Sequence, residues 1–354
     1  MTPRKHITLI FWLAALSFLL AAAQPASAGK KKDNGAQAGP VNLVWPLPPD
    51  KPRIKFLTAY SSNYDIEPRK KRSWVDKMVG NADPNLAEMF DKAAGVASDS
   101  KGRVYIVSSQ RAMLYILDKE KRQVIRVNGD RGLQFRTPLG VVVDAKDNFY
   151  VADAQMHMVF KFGPDAHLQG TLGGDSGLKN PTYMAIDERR QRLFVVDSQQ
   201  HQVLIFNPDT LQLESKLGKR GTKKGEFNFP IAVAVAPDGS IAVTDTGSCS
   251  VQVFSPDLKF VRRIGRQGTR PGEFVRPKGL AYDQEGHLWV VDAAFNNFQI
   301  FSPDGKALMF VGAYGQNPGE FNLPTDIYID KNNRVYVSDS LNARVQIFQF
   351  LGGD

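Results

Sequence analysis

The chain has 354 residues, 42% of them hydrophobic and 23% charged, with a formal net charge of +9. That is globular composition with ample material for a large core, which excludes a disordered or collagen-like chain. A single cysteine, Cys249, rules out an intrachain disulfide, and without a Cys-x-x-Cys-His motif a c-type haem is excluded, so packing must supply the stability.

In chain order, Arg4, Lys5 and His6 precede an apolar run from Ile7 to Ala23, and Ala26-Ser27-Ala28 follows as a small-x-small site. This predicts a signal peptide over residues 1–28, cleaved near Ala28, and a mature chain in the periplasm or outside the cell. The alternative is a retained anchor, since the 17 residues of the run nearly reach the ~20 needed to span a bilayer. No other apolar run is long enough, so no membrane span is expected in the mature chain, whose charge after losing Arg4 and Lys5 is +7. Such a balance favours anionic partners. Residues 29–53, rich in lysine and then proline, read as a flexible tail passing into an extended lead. Arg53 to Tyr60 alternates like a strand yet has no partner nearby. Residues 61–91 form an insertion in which Trp74, Val75, Met78 and Val79 stand at helical spacing before Gly80, predicting a short amphipathic helix.

Beyond it the chain repeats itself. A valine- or tyrosine-rich strand ends in aspartate at Asp153, Asp197, Asp245, Asp292 and Asp339, at steps of 44, 48, 47 and 47 residues. An apolar residue follows six positions later (Val159, Val203, Val251, Phe298, Val345) and a phenylalanine nine positions later (Phe162, Phe206, Phe254, Phe301, Phe348). A sixth copy, Val104 to Ser108, has serine for aspartate but keeps Leu114 and Leu117 in register. Units of this length cannot bury their own apolar faces and must stack on their neighbours.

Each unit holds four strands separated by glycine or Pro-Asp-Gly turns. The first strand carries small residues on one face (Ala97, Val142, Ala185, Ala234, Ala281), with Tyr328 the exception, as suits strands converging on an axis. The links between units repeat Gly-Glu-Phe at 225–227, 272–274 and 319–321, with Phe90, Phe135 and Leu178 at the matching apolar position elsewhere, and these side chains are expected to wedge between units. The last unit stops one strand short. The expected fold is therefore all-β: a six-bladed β-propeller of four-stranded antiparallel blades over residues 54–354, closed by a strand at about 54–60 that pairs with Ala343 to Phe350.

From about residue 90 to 350, the Pro-x-Gly-Val/Leu-x-x-Asp, Val-x-Asp, Val-x-x-Phe and Gly-Glu-Phe elements resemble the NHL-repeat family of six-bladed propellers, of an exported bacterial type. In the loop after the aspartate only Asn342 and Arg344 keep the family's Asn-x-Arg, while His157, His201, Cys249 and Asn296 occupy the variable positions.

Strand reversal puts those loops and the inter-blade links on one end of the ring, where binding residues gather. The same end would display Lys219, Arg220, Lys223 and Lys224 from one link and Arg266 and Arg270 from the next, adjacent enough to make a basic patch. The expected function is a monomeric, non-enzymatic scaffold that binds a protein partner, or another anionic ligand of the cell envelope, through this face. Nucleic acid is not expected, because export and sparse aromatic interleaving argue against it. The alternative is a propeller lactonase or lyase with a divalent metal in the channel. His157, His201 and Cys249 are the candidate ligands, but no third histidine stands in register and no cofactor is expected. The repeated aspartates read as architecture, leaving no catalytic residue. Asp326 stands where other blades carry Gly95, Gly140 or Gly279, near the channel, as a ligand or a polar plug.

Overall fold

Alternating apolar and polar residues, interrupted by tight turns, produce the short strands from which the molecule is built. The computed structural model describes residues 43–69, 86–173 and 177–352. The helix expected around Trp74 to Val79 lies outside the described residues. Five consecutive sheets are four-stranded antiparallel meanders, with first strands at Ala93–Ser98, Pro138–Val143, Pro181–Asp187, Pro230–Val235 and Pro277–Tyr282. The sixth sheet begins with Pro324–Ile329, continues through Arg334–Asp339 and Arg344–Phe350, and is completed by Ile54–Tyr60. We number these blades 1 to 6.

Closure follows the expected register. Ile54 pairs with Phe350, Lys55 with Gln349 and Tyr60 with Val345, with a bulge between Phe56 and Thr58. The alternation of the strand explains the docking: Ile54 and Phe56 point into a core with Trp289, Phe298 and Phe348, while Lys55 and Leu57 face out. The lead contributes more than was expected of it. Val44–Trp45 adds a fifth, outermost strand against Lys55 and Ile54, and the Trp45 ring lies edge-on to Phe348, 5.8 Å between centroids. A two-residue strand has no periodicity to betray it, so it stayed hidden inside the lead read over 29–53.

Between blades, the wedge side chains are where the links predicted. Phe227 is fully buried among Val203 and Ile205 of blade 3 and Val243 and Phe254 of blade 4. Phe274 and Phe321 are likewise fully buried, and Phe90, Phe135 and Leu178 serve the weaker repeats. Burial of each aromatic ring contributes roughly 3 kcal/mol. Gly218, Gly265 and Gly312 precede these wedges with positive φ, and a Cβ on any of them would lie 2.3–2.6 Å from the Phe227, Phe274 or Phe321 ring. Both their backbone conformation and their lack of a side chain are thus required.

The closing strand yields the first expectation. A chain beginning at Leu43 should keep the melting temperature of a chain beginning at Gly29 within about 2 °C, whereas a chain beginning at Ser61 should lose cooperative melting, because blade 6 would then expose an unpaired edge and the core face of Val345 to Phe350. Circular dichroism melts of the three chains decide it; equal melting of all three would contradict closure by this strand.

Candidate functional site

Each second strand ends at the link that enters its own blade, where Ser108 of blade 1 donates to the Asp91 carbonyl and the aspartates of blades 2 to 6 are held. Asp153 accepts the backbone N–H groups of Arg136 (2.6 Å), Thr137, Gln155 and Met156. Asp197 accepts those of Lys179, Asn180 and Gln200, and Asp292 those of Val275, Arg276, Ala294 and Phe295. Asp339 takes the Asn322 N–H and the Asn342, Arg344 and Gln346 side chains. Asp245 is the poorest of the series. It receives the Asn228 N–H at 2.7 Å, its second oxygen is buried without a partner, and burial pushes its carboxyl up to about 6. All five are buried and facing backbone, so they position the links.

Four residues after each of these positions the backbone turns left-handed in every blade, at Ala112, His157, His201, Cys249, Asn296 and Ala343, with φ between 48° and 56°. From that turn the side chain reaches the next link. His157 Nδ1 meets the Lys179 carbonyl, the Phe229 N–H donates to His201 Nδ1 at 3.0 Å, Cys249 Sγ lies 3.3 Å from the Val275 carbonyl, and the Leu323 N–H donates to Asn296 Oδ1 at 2.8 Å. The structure therefore spends His157, His201, Cys249 and Asn296 as staples between successive blades, each on its own neighbour, and does not bring them together. Burial raises the Cys249 thiol further from reactivity. Among the described residues no three of His, Cys, Asp or Glu converge as a metal-ligand set.

The basic links are ordered by a clamp that sequence reasoning missed. Gln252 accepts the Gly225 N–H and donates to the Glu226 carbonyl; Gln299 does the same with Gly272 and Glu273, and Gln346 with Gly319 and Glu320. The signal was present: glutamine follows the first apolar residue of Val-x-x-Phe only in the three blades that carry Gly-Glu-Phe, whereas Phe160 and Leu204 stand there in blades 2 and 3. The glutamates fold back on their own loops, Glu226 onto the Lys223 N–H and Glu273 onto the Arg270 N–H, which holds both carboxyls below the usual range. Of the expected basic patch, Lys219 pairs with Glu226 at 3.5 Å and Arg266 with Glu273 at 3.0 Å. Lys224 lies over the Phe260 ring, 5.7 Å from its centre. Arg220, Lys223 and Arg270 are exposed and, among the described residues, make no ion pair.

At the axis, the first strands enclose a cavity of about 240 Å³ that runs from Tyr183 and Asp326 to Glu188 and is otherwise mainly aliphatic. Gly279 leaves the room for Asp326, since a Cβ there would come within 2.5 Å of its Cα and Oδ1. The Val96 N–H of blade 1 donates to Asp326 Oδ2 at 3.0 Å, joining the last blade to the first. Tyr183 reaches across from blade 3 to the Ala94 carbonyl, 3.4 Å away. Asp326 thus lines the axial cavity and bonds across the seam of the ring. Its carboxyl is pushed up to about 7 by burial, against the lowering effect of the Val96 and Ile327 N–H groups.

Residues 227–254 match the NHL repeat, and residues 282–354 match a family described as a 6-bladed beta-propeller. With the six sheets described above, the chain is a six-bladed β-propeller, and its residues 227–254 carry an NHL repeat. No curated protein matches it by sequence. Among solved structures it is similar to a protein of unknown function from Bacteroides thetaiotaomicron, with 18% identity over 82% of this chain and 75% of that one and a TM-score of 0.59. It is also similar to virginiamycin B lyase from Staphylococcus aureus, with 8% identity over 75% of this chain and 97% of that one and a TM-score of 0.54. A third similar structure is a gluconolactonase from Xanthomonas campestris, with 14% identity over 83% of this chain and 98% of that one and a TM-score of 0.55. At these identities the likeness is one of fold, and fold carries no chemistry by itself.

Two substitutions probe this geometry. Gln299→Leu strands the Gly272 N–H and the Glu273 carbonyl and should destabilise the protein by about 1–3 kcal/mol in chemical denaturation. For Asp326 the sign is the reverse of a salt-bridged acid. Between its unfolded value of 3.8 and about 7 the folded chain keeps a proton the unfolded chain releases, so stability falls as pH rises through that window and stays lowered above it. Asp326→Asn, which can still accept from Val96, should raise the melting temperature by roughly 3 °C or more at pH 8 and leave it unchanged at pH 4. An equal effect at both pH values would contradict a buried, protonatable carboxyl.

Proposed function

We propose that this propeller is an exported, non-enzymatic platform that binds an acidic protein partner in the cell envelope through the face carrying its links and post-aspartate loops. One observation carries the reading. On that face the described carboxylates are already engaged: the strand-end aspartates by backbone N–H groups, Glu226 and Glu273 by their own loops and by Lys219 and Arg266, and Asp91 by Arg111 at 2.7 Å. Arg220, Lys223 and Arg270 are left as exposed cations on loops that the glutamine clamps hold rigid. Fixed, exposed positive charge steers an opposite charge toward it and loses little entropy on contact. Export rests on the segment before Gly29, and the +7 charge of the mature chain agrees with an anionic partner. Among the described residues no helix is long and apolar enough to cross a membrane.

Reversing Arg220, Lys223, Lys224 and Arg270 to glutamate should abolish capture of the partner from a cell-envelope extract while leaving the melting temperature nearly unchanged, since none of the four makes an ion pair among the described residues and the interactions of Lys223 with Glu226, Arg270 with Glu273 and Lys224 with Phe260 lie on the solvent-exposed surface. Capture by the parent protein should weaken steeply between low and physiological salt, as screening demands. Undiminished capture by the reversed variant would exclude this face.

A further inference from the structure

The axis of the ring meets this face at a place the link cations do not explain. Just before the first strands, on the rim of the channel mouth, stand Lys92 in blade 1, Arg136 in blade 2, Lys179 in blade 3 and Arg276 in blade 5, all exposed. Among the described residues none makes an ion pair; the one acid beside them on the rim, Asp91, is taken by Arg111. Inside this circle is Lys278, the second residue of its first strand. Its counterparts in register are Thr182 and Thr325, whose hydroxyls turn to carbonyls of the following blade, Ile231 at 2.6 Å and Ala93 at 3.0 Å. Lys278 has no such bond. Its stem is largely buried and its amine has no partner among the described residues. Burial first, and the Arg276 guanidinium second, draw that amine down to about 8. An unpaired cation in a confined position beside a second cation is costly unless a counter-charge arrives from outside.

Apolar surface accompanies the charge. Phe229 is 51% exposed and Val275 40% exposed, both in the residues that lead into first strands, and Leu341 is 52% exposed in a post-aspartate loop. Deeper along the axis, Tyr183, whose hydroxyl is bonded to the Ala94 carbonyl, and Asp326 line the cavity described above.

We propose that the channel mouth is a receptor for an acidic, apolar-flanked peptide segment of the partner, one of whose carboxylates docks on the Lys278 amine. The inference rests on the reading of this face as a protein-binding surface. Apart from the neighbouring Arg276 and Lys278 of blade 5, the cations come from different blades, which suits separate single charges along a peptide better than one compact, multiply charged phosphate. Arg276 and Phe229 supply the guanidinium and aromatic contacts that dominate peptide interfaces.

Fluorescence anisotropy of the mature chain with a labelled peptide of alternating glutamate and phenylalanine tests it, with the lysine-for-glutamate peptide as control. Lys278→Met should weaken binding of the acidic peptide about tenfold and leave the protein at least as stable, and Arg276→Ala should weaken it by a similar factor. The variant with Arg220, Lys223, Lys224 and Arg270 reversed should still respond to Lys278→Met. If the acidic peptide binds and the reversed variant loses it, but Lys278→Met and Arg276→Ala do not, the mouth is excluded while the basic face survives. If the acidic peptide binds no better than the basic one, the mouth is excluded, and the reading of the whole face falls only if partner capture fails as well. Displacement of the peptide by inorganic phosphate at concentrations where acetate has no effect would overturn the carboxylate assignment.

Discussion

Everything on the face that carries the links depends on one recurrent hydrogen-bonded contact, the buried aspartate at the end of the second strand in blades 2 to 6 gripping the backbone of the link that enters its blade. A carboxylate removed from water is tolerated only when donors surround it. Asp153, Asp197 and Asp292 each collect several backbone N–H groups, so the residue that needs compensation also fixes where the chain passes from the rim to the axis. Left-handed turns four residues later extend the grip to the next blade through His157, His201, Cys249 and Asn296. The ring is thus laced along one end by polar contacts and filled between sheets by Phe227, Phe274 and Phe321.

Much of this was legible in the sequence because repetition states the same rule five or six times. The strand ends at Asp153 to Asp339, the wedges and the pairing of Ile54–Tyr60 with the tail each follow from a spacing or from a missing strand. What stayed hidden was conformational. A histidine at position 157 or 201 looks like a ligand until its backbone is seen to turn left-handed and aim the ring at the adjacent link. Asparagine and histidine are among the residue types enriched in such a turn, so His157, His201 and Asn296 each offered a faint clue and Cys249 offered none. The partners of the link glutamates were hidden for a different reason: a salt bridge from Lys219 to Glu226 spans a loop whose path no periodicity fixes.

The candidate site was correspondingly half legible. Lysine and arginine runs in 219–224 and 262–270 announce a basic patch, yet two of its members are neutralised by neighbours, while Lys92, Arg136, Lys179 and Arg276 are scattered singly through the chain and become a set only when the ring closes. Lys278 is the plainest case. Nothing in Pro277-Lys278-Gly279-Leu280 distinguishes it from a solvated lysine, and only the packing of the strands makes it a largely buried, unpaired charge among the described residues.

The seam has a topological cost. Ile54 must find Phe350, its partner at the far end of the chain, so this pairing forms at the longest loop-closure distance in the fold and waits for every other sheet. Until then Arg344–Phe350 presents an open edge complementary to the front of any identical molecule nearby. Refolding at high concentration should accordingly populate exchanged dimers, each lending its leading strand to the other, which size-exclusion chromatography would separate from the monomer. The same stitch that makes a lone ring stable leaves crowded, half-folded chains open to mutual entanglement.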